Sequence, residues 1–130
     1  MAAQRAMTTI KIKAQLQPTE DPDKVTRAIT NLFGELPLNI DREQNIITGK
    51  IGDIPQLRDL RARIAQDRIR TTLSNTLSRW MDDDYLSFGL NRQAAYAGHV
   101  SINLTNEDPM GPIQVQIRGD VQQVIDFLCN

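Results

Sequence analysis

The chain has 130 residues, 40% hydrophobic and 24% charged, a composition typical of one folded domain and unlike that of a disordered segment. A single cysteine excludes an internal disulfide, and one histidine with one cysteine is too few for a zinc site. The N-terminus has no apolar segment typical of a signal peptide, and no apolar run approaches the roughly eighteen residues of a membrane span, so we expect a cytoplasmic protein without a membrane partner.

The first half of the chain predicts a strand, a helix and two further strands. Residues 8–17 alternate between apolar and polar side chains, as in a strand with one buried face. Asp21 and Pro22 open a helix whose apolar stripe ends near Gly34. Residues 36–40 and 46–51 then predict two short strands joined by a polar turn.

A long helix is predicted from Asp53, as N-cap, to about Trp80. Its apolar stripe changes direction between two faces. Leu57, Leu60 and Ile64 define the first, and the second is formed by Ile69, Leu73, Leu77 and Trp80. Either the helix bends or its two halves pack on different surfaces. We expect it to end before the acidic run at 82–84, since carboxylates oppose the dipole at a helix C-terminus.

The second half predicts strands at 85–90, 100–105 and 113–117, and a final helix that Asp120 caps. The predicted order is β-α-β-β-α-β-β-β-α. We therefore expect an α+β fold: a two-layer sandwich in which about three helices cover a mainly antiparallel sheet. Residues 1–7 are predicted to be a flexible extension, and residues 8–130 a single domain.

Positive charge is concentrated on the predicted long helix. Residues 54–80 hold six arginines against two aspartates, a net charge of +4, whereas residues 81–130 have a net charge of -5. Arginine suits forked contacts to phosphate. The candidate phosphate-binding residues on this helix are Arg61, Arg63, Arg68 and Arg70. The alternative is a solvated helix face, in which Asp67 forms a local ion pair with Arg70.

Asn91, Arg92 and Gln93 form a second candidate group, a dense set of hydrogen-bond donors after the strand at 85–90. They precede small residues that permit close approach of a ligand. The alternative is a polar turn over a packed sheet, and the two interpretations stay open. Aromatic residues are only 5% of the chain, so we expect any nucleic acid to be bound through its backbone and shape.

The sequence indicates no catalytic, cofactor, metal or small-molecule site. His99 is interpreted as a hydrogen-bonded or solvated residue at a strand end, and Asp82, Asp83 and Asp84 as a solvated helix end. The segment 49–52 lacks the glycine and Lys-Ser/Thr spacing of a phosphate loop.

Several segments resemble an archaeal family of uncharacterised proteins, number two hundred and one of the UPF series. The first motif is Pro-Thr-Glu-Asp-Pro-Asp-Lys-Val at 18–25, together with Asn-Leu-Phe at 31–33. The second is the pair Asp67 and Arg70, and the third is Leu-Asn-Arg-Gln-Ala-Ala at 90–95. Residues 111–113 and 125–127 match the family more loosely. Arg92 and Met110 depart from the family's usual lysine and leucine. The resemblance implies archaeal origin, a fold similar to the ribosomal protein of the L-five type, and a predicted RNA-binding or exosome-associated role.

Three hypotheses follow. The first is a non-catalytic RNA-binding module that uses the arginines of the long helix together with Asn91, Arg92 and Gln93. The second is a protein-interaction module, either a homodimer or a partner of an RNA-processing complex, in which the basic helix meets an acidic C-terminal region. The third is an enzyme built on Asp67, Arg70, Asn91 and Gln93, which we expect the protein not to be.

Overall fold

Strand β1 (Thr9–Gln15) lies at the centre of a five-stranded antiparallel sheet in the computed structural model, which describes residues 8–102 and 111–130. The strand order is β2-β3-β1-β5-β4. The other strands are β2 (Leu38–Asp41), β3 (Ile46–Ile51), β4 (Tyr85–Leu90) and β5 (Ile113–Arg118). The α-helices are α1 (Pro22–Phe33), α2 (Arg58–Gln66), α3 (Arg70–Trp80), α4 (Arg92–Tyr96) and α5 (Val121–Cys129).

The alternation of β1 places its two kinds of side chain on opposite faces of the sheet. Ile10 and Ile12 are fully buried, whereas Lys11 and Lys13 are exposed. The buried side chains of the strands and the apolar sides of the helices form one hydrophobic core. An α+β fold with an antiparallel sheet is therefore confirmed, whereas the likeness to the ribosomal L-five protein stays a prediction.

Helices α1 and α5 begin where the sequence predicts. Asp21 accepts a hydrogen bond from the backbone N–H of Asp23 at 2.9 Å, and Asp120 accepts one from that of Gln123 at 3.1 Å. Each carboxylate thus satisfies a backbone donor that has no partner within the helix. Helix α1 ends at Gly34, whose φ of 78° suits a residue without a Cβ atom.

The prediction of one helix from 53 to 80 is wrong, because the chain turns between α2 and α3. A short 3-10 helix (Ile54–Leu57) precedes α2. After α2, Arg68 adopts φ 57°, its N–H donates to the carbonyl of Ala65, and the N–H of Ile69 donates to that of Ile64. These two hydrogen bonds form a Schellman motif, with Arg68 at the left-handed position that glycine usually occupies. The change in direction of the apolar stripe reflects this turn.

Two further predictions need correction. Residues 100–105 were expected to form a strand, but of the described part only Ile102 pairs, in an isolated bridge with Leu90, and residues 103–105 lie outside the described residues. The polar segment at 91–98 contains helix α4, and the predicted long helix is divided into α2 and α3. Five α-helices therefore replace the expected three in the described ranges. The predicted flexible extension at 1–7 also lies outside the described residues.

Candidate nucleic-acid interface

Arg61 and Arg63, the two candidate arginines on α2, both contact neighbouring elements. The guanidinium of Arg61 lies 5.3 Å from the centre of the Phe127 ring and donates to the carbonyl of Asn130 at 3.4 Å. Arg63 is half-buried and donates from Nε to the carbonyl of Asn31 at 3.1 Å. Arg63 therefore ties α2 to α1, while Arg61 stays exposed along the edge of α5.

Arg68 and Arg70 lie together at the turn between α2 and α3, and both are exposed. Neither side chain has a hydrogen bond or ion pair with another residue of the described ranges. Arg70 is the first residue of α3, whose N-terminus has no side-chain cap and no acidic residue in its first turn. The partial positive charge of that helix end adds to the charges of the two guanidinium groups.

Asp67 contacts His99 and Val100, and the predicted ion pair with Arg70 does not form. Its Oδ1 lies 3.0 Å from Nδ1 of His99, and its Oδ2 accepts a hydrogen bond from the N–H of Val100 at 2.8 Å. Burial would raise the pKa of Asp67, but the Val100 N–H and then His99 more than offset it, so the pKa lies below its ordinary value. His99 is thus hydrogen-bonded, which agrees with one of the two interpretations from the sequence.

Arg92 is a buried structural residue, and its place among the candidate RNA contacts needs correction. Its side chain is 0% exposed, and its Nη1 donates to both carboxylate oxygens of Glu20, at 2.7 and 2.6 Å. Its Nη2 donates to the carbonyl of Gln15 at 2.8 Å. The guanidinium therefore joins α4 to β1 and to the segment before α1, and it is not available to a phosphate.

Asn91 and Gln93 lie on either side of Arg92 and differ in role. Asn91 caps α4, since its side-chain oxygen accepts a hydrogen bond from the N–H of Ala94 at 2.9 Å. Gln93 is exposed and lines a depression of about 570 Å³ with Lys24, Arg27 and Tyr96. Asp67, Arg70 and Asn91 do not line this depression, so the structure does not bring the four residues of the enzyme hypothesis together there.

The Glu20 carboxylate has shifted protonation behaviour, and so has its neighbour Tyr96. Burial would raise the pKa of Glu20, but hydrogen bonds from Arg92 and from the N–H of Gln17, together with the charge of Arg92, hold it below its ordinary value. The Tyr96 hydroxyl donates to Glu20 at 3.1 Å. Burial, and then the Glu20 charge, raises the pKa of Tyr96.

The exposed face of the sheet carries a basic surface that the candidates from the sequence do not include. It holds Lys11 and Lys13 on β1, Lys50 on β3 and Arg118 on β5, and all four are exposed. We call these residues the sheet-face cations. The alternation of residues 8–17 already predicts that two of the lysines share a wet face. Lys50 and Arg118 join them only through the strand pairing, which the sequence does not reveal.

The described ranges provide no group of three or more His, Cys, Asp or Glu side chains that could hold a metal ion. Within those ranges, no helix is both long enough and apolar enough to cross a membrane.

Comparison with known proteins identifies the family. A family model described as RNA binding matches residues 9–119. A UPF0201 protein of Methanothermobacter thermautotrophicus is 34% identical over 123 residues, covering 94% of this chain and 91% of the relative. One from Thermococcus onnurineus is 35% identical and covers 92% of this chain and 89% of the relative. The crystal structure of a UPF0201 protein from Methanococcus jannaschii superposes with a TM-score of 0.79 at 29% identity, and the match covers 94% of this chain and 99% of the other.

These matches extend over the whole sheet and agree with the resemblance that the sequence motifs indicate. The chain belongs to the UPF0201 family of archaeal proteins, whose family model is described as RNA binding.

Proposed function

We propose that this protein is a non-catalytic RNA-binding module that contacts phosphates through Arg68 and Arg70, which we call the arginine surface. Arg61 is also exposed, but it lies on α2 against Phe127 and Asn130. Arg63 and Arg92 support the fold through their contacts with Asn31 and Glu20. Family membership supports RNA as the ligand.

The observation that carries this proposal is the backbone conformation of Arg68. A left-handed residue other than glycine costs on the order of 1 kcal/mol, because its Cβ atom crowds the following carbonyl oxygen. Glycine would complete the same Schellman motif without that cost. The exposed side chain of Arg68 has no hydrogen bond or ion pair with another residue in the described part of the chain, so it adds no contact that would offset this cost. Local rules of this kind are broken mostly at functional sites.

The surroundings of Arg68 favour an anion. Arg70 and the uncapped N-terminus of α3 add positive charge, while the carboxylate of Asp67, the preceding residue in the chain, is engaged by His99 and Val100. Two planar guanidinium groups that project from one turn suit the phosphates of a structured RNA, which are recognised by shape and charge.

The test is a titration of a labelled RNA hairpin with Arg68→Ala/Arg70→Ala. We expect weaker binding and a shallower dependence of log affinity on log salt, with the slope reduced by about one unit for each phosphate that the variant no longer neutralises. Arg42→Ala/Arg79→Ala removes two other exposed arginines and is the matched control. Hairpin binding that is equal in the two variants, or absent from the wild type at low salt, would overturn the proposal.

A second candidate is a protein-interaction module, for which the exposed Trp80 provides the observation. Trp80 is 40% exposed at the end of α3, next to the acidic residues 82–84. Large exposed aromatic side chains often anchor protein interfaces. A homodimer through this site predicts a sedimentation coefficient that falls in Trp80→Ser, whereas a monomeric wild type at high concentration would contradict it.

A further inference from the structure

The three lysines among the sheet-face cations lie in two adjacent rows across the exposed side of the sheet. Lys50, Lys11 and Gln116 are paired in register across β3, β1 and β5, and Thr48, Lys13 and Gln114 form the next row. Residues paired directly across antiparallel strands project from the same face. Three of the four lysines of the chain therefore lie within two rows of one sheet, and the fourth, Lys24, is on α1.

The pairing of Lys11 with Lys50 is unfavourable in the isolated protein. Directly opposed residues have Cβ atoms about 5 Å apart, and like charges at that position are destabilising. Lys13 adds a third ammonium group about 7 Å along the strand. In the described ranges, the only carboxylate in a strand register of this face is Asp41 at the edge, which accepts hydrogen bonds from the N–H groups of Glu43 and Gln44. A bound anion would therefore relieve the repulsion among the three lysines.

The shape of this face suits an extended ligand. A shallow depression of about 440 Å³ on this face is lined by Pro37 and Leu38 and by six polar residues: Lys11, Lys13, Lys50, Asn39, Thr48 and Gln116. Their ammonium, amide and hydroxyl groups offer hydrogen bonds to phosphates and to base edges. The side chains of a sheet face cannot reach into the deep, narrow major groove of an RNA duplex.

A stacking position lies one row beyond the lysines. Arg118 is paired with Tyr85, and its guanidinium lies 4.5 Å from the centre of the tyrosine ring. Arg118 is exposed, so the face of its guanidinium that points away from the ring can receive a base. Unpaired bases stack on arginine planes as well as on aromatic rings.

We infer that the exposed face of the sheet binds single-stranded RNA, with Lys11, Lys13 and Lys50 on the phosphates and one base stacked on Arg118. This inference rests on the proposed function for the class of ligand. It concerns a surface whose residues differ from those of the arginine surface, so separate variants test the two.

The probe is an unstructured RNA of about 12 nucleotides, labelled with fluorescein and titrated between about 50 and 200 mM salt. For Lys11→Gln/Lys13→Gln/Lys50→Gln we expect at least about tenfold weaker binding and a salt slope lower by about two, since each single-strand phosphate contact adds about 0.7. Lys24→Gln/Arg27→Gln/Arg42→Gln removes three exposed charges elsewhere and is expected to bind almost as the wild type does.

Equal losses in the two triple variants would overturn the inference, because the lysines would then act only through net charge. Tighter binding of the Arg68→Ala/Arg70→Ala variant, which lacks the arginine surface, to the duplex form of the same sequence would overturn the single-strand assignment. A change in sedimentation coefficient with unchanged RNA affinity in the lysine variant would show that the face joins copies of the chain, and would also overturn it. If the hairpin still binds through Arg68 and Arg70, the proposed function survives; if no RNA binds, both fail.

Discussion

Arg92 and Glu20 are 72 positions apart in the chain and form a buried ion pair, in which one guanidinium nitrogen lies within 2.7 Å of both carboxylate oxygens. Their side chains are 0% and 5% exposed. The pair joins α4 to the segment before α1, and the Tyr96 hydroxyl completes it. It links two sequence motifs whose relation is not visible in the chain.

Removing one partner of this pair should destabilise the fold strongly. We expect Arg92→Met to lower the free energy of unfolding by about 3–5 kcal/mol, because the carboxylate of Glu20 would stay buried without its counter-charge. Urea denaturation measures the loss, and Arg79→Met, at an exposed position, is the control. Adding Glu20→Gln to Arg92→Met should recover part of the loss, and an additive double variant would contradict the coupling.

The shifted pKa values predict where stability depends on pH. The pKa of Glu20 in the folded state is below its ordinary value of 4.5. The stabilisation of the fold by the Glu20 carboxylate is therefore complete above pH 4.5 and is lost as the pH falls through the folded pKa. The pKa of Tyr96 is above its ordinary value of 10.0, so its contribution is lost as the pH rises beyond that value.

Unfolding free energies measured by urea titration across this range should show a plateau between these limits. Glu20→Gln should flatten the acid limb below pH 4.5, with Asp67 leaving a residual slope because its pKa is also lowered. An unchanged acid limb in Glu20→Gln would show that other carboxylates control acid denaturation.

The left-handed conformation of Arg68 predicts opposite effects on stability and binding. Arg68→Gly should raise the unfolding free energy by about 1 kcal/mol, because glycine adopts positive φ without crowding from a Cβ atom. The same variant should bind the RNA hairpin more weakly. Arg70→Gly, inside the first turn of α3, should lower the free energy of unfolding by up to about 1 kcal/mol. Thermal denaturation distinguishes the two, and a destabilised Arg68→Gly would contradict the motif.

Gly98 allows α4 to end against α2. Its φ is 79°, and a Cβ atom built there would lie 3.1 Å from Nη1 of Arg63. We therefore expect Gly98→Ala to cost about 1–2 kcal/mol in denaturant unfolding. Gly52→Ala is the matched control, since a Cβ atom at that position meets nothing within 4 Å. Equal stabilities of the two variants would show that the segment shifts without strain.

The elements that follow from local patterns were predictable. β1 is specified by alternation, and α1 and α5 by an aspartate cap and an apolar stripe. The turn at Arg68 was not, because an arginine occupies the position where glycine signals a helix end. Helix α4 has five residues and depends on tertiary contacts, such as the bond from Asn31 to the carbonyl of Ala95.

The candidate site could also be predicted only in part from the sequence. A charge count finds the arginines of α2 and α3, but burial decides which of them face solvent, and Arg63 is half-buried. Burial also removes Arg92 from the second candidate group. The sheet-face cations escape a charge count because they come from three strands, and only the register places Lys50 opposite Lys11.

The register of β1 also determines which of its side chains are exposed and which lie in the core. A shift of β1 by one residue would turn Lys11 and Lys13 inward and expose Ile10 and Ile12. Burial of two unpaired ammonium groups would oppose any such slip far more strongly than the loss of backbone hydrogen bonds alone. The lysines therefore also maintain strand alignment, and their replacement by apolar residues would make misaligned pairing accessible.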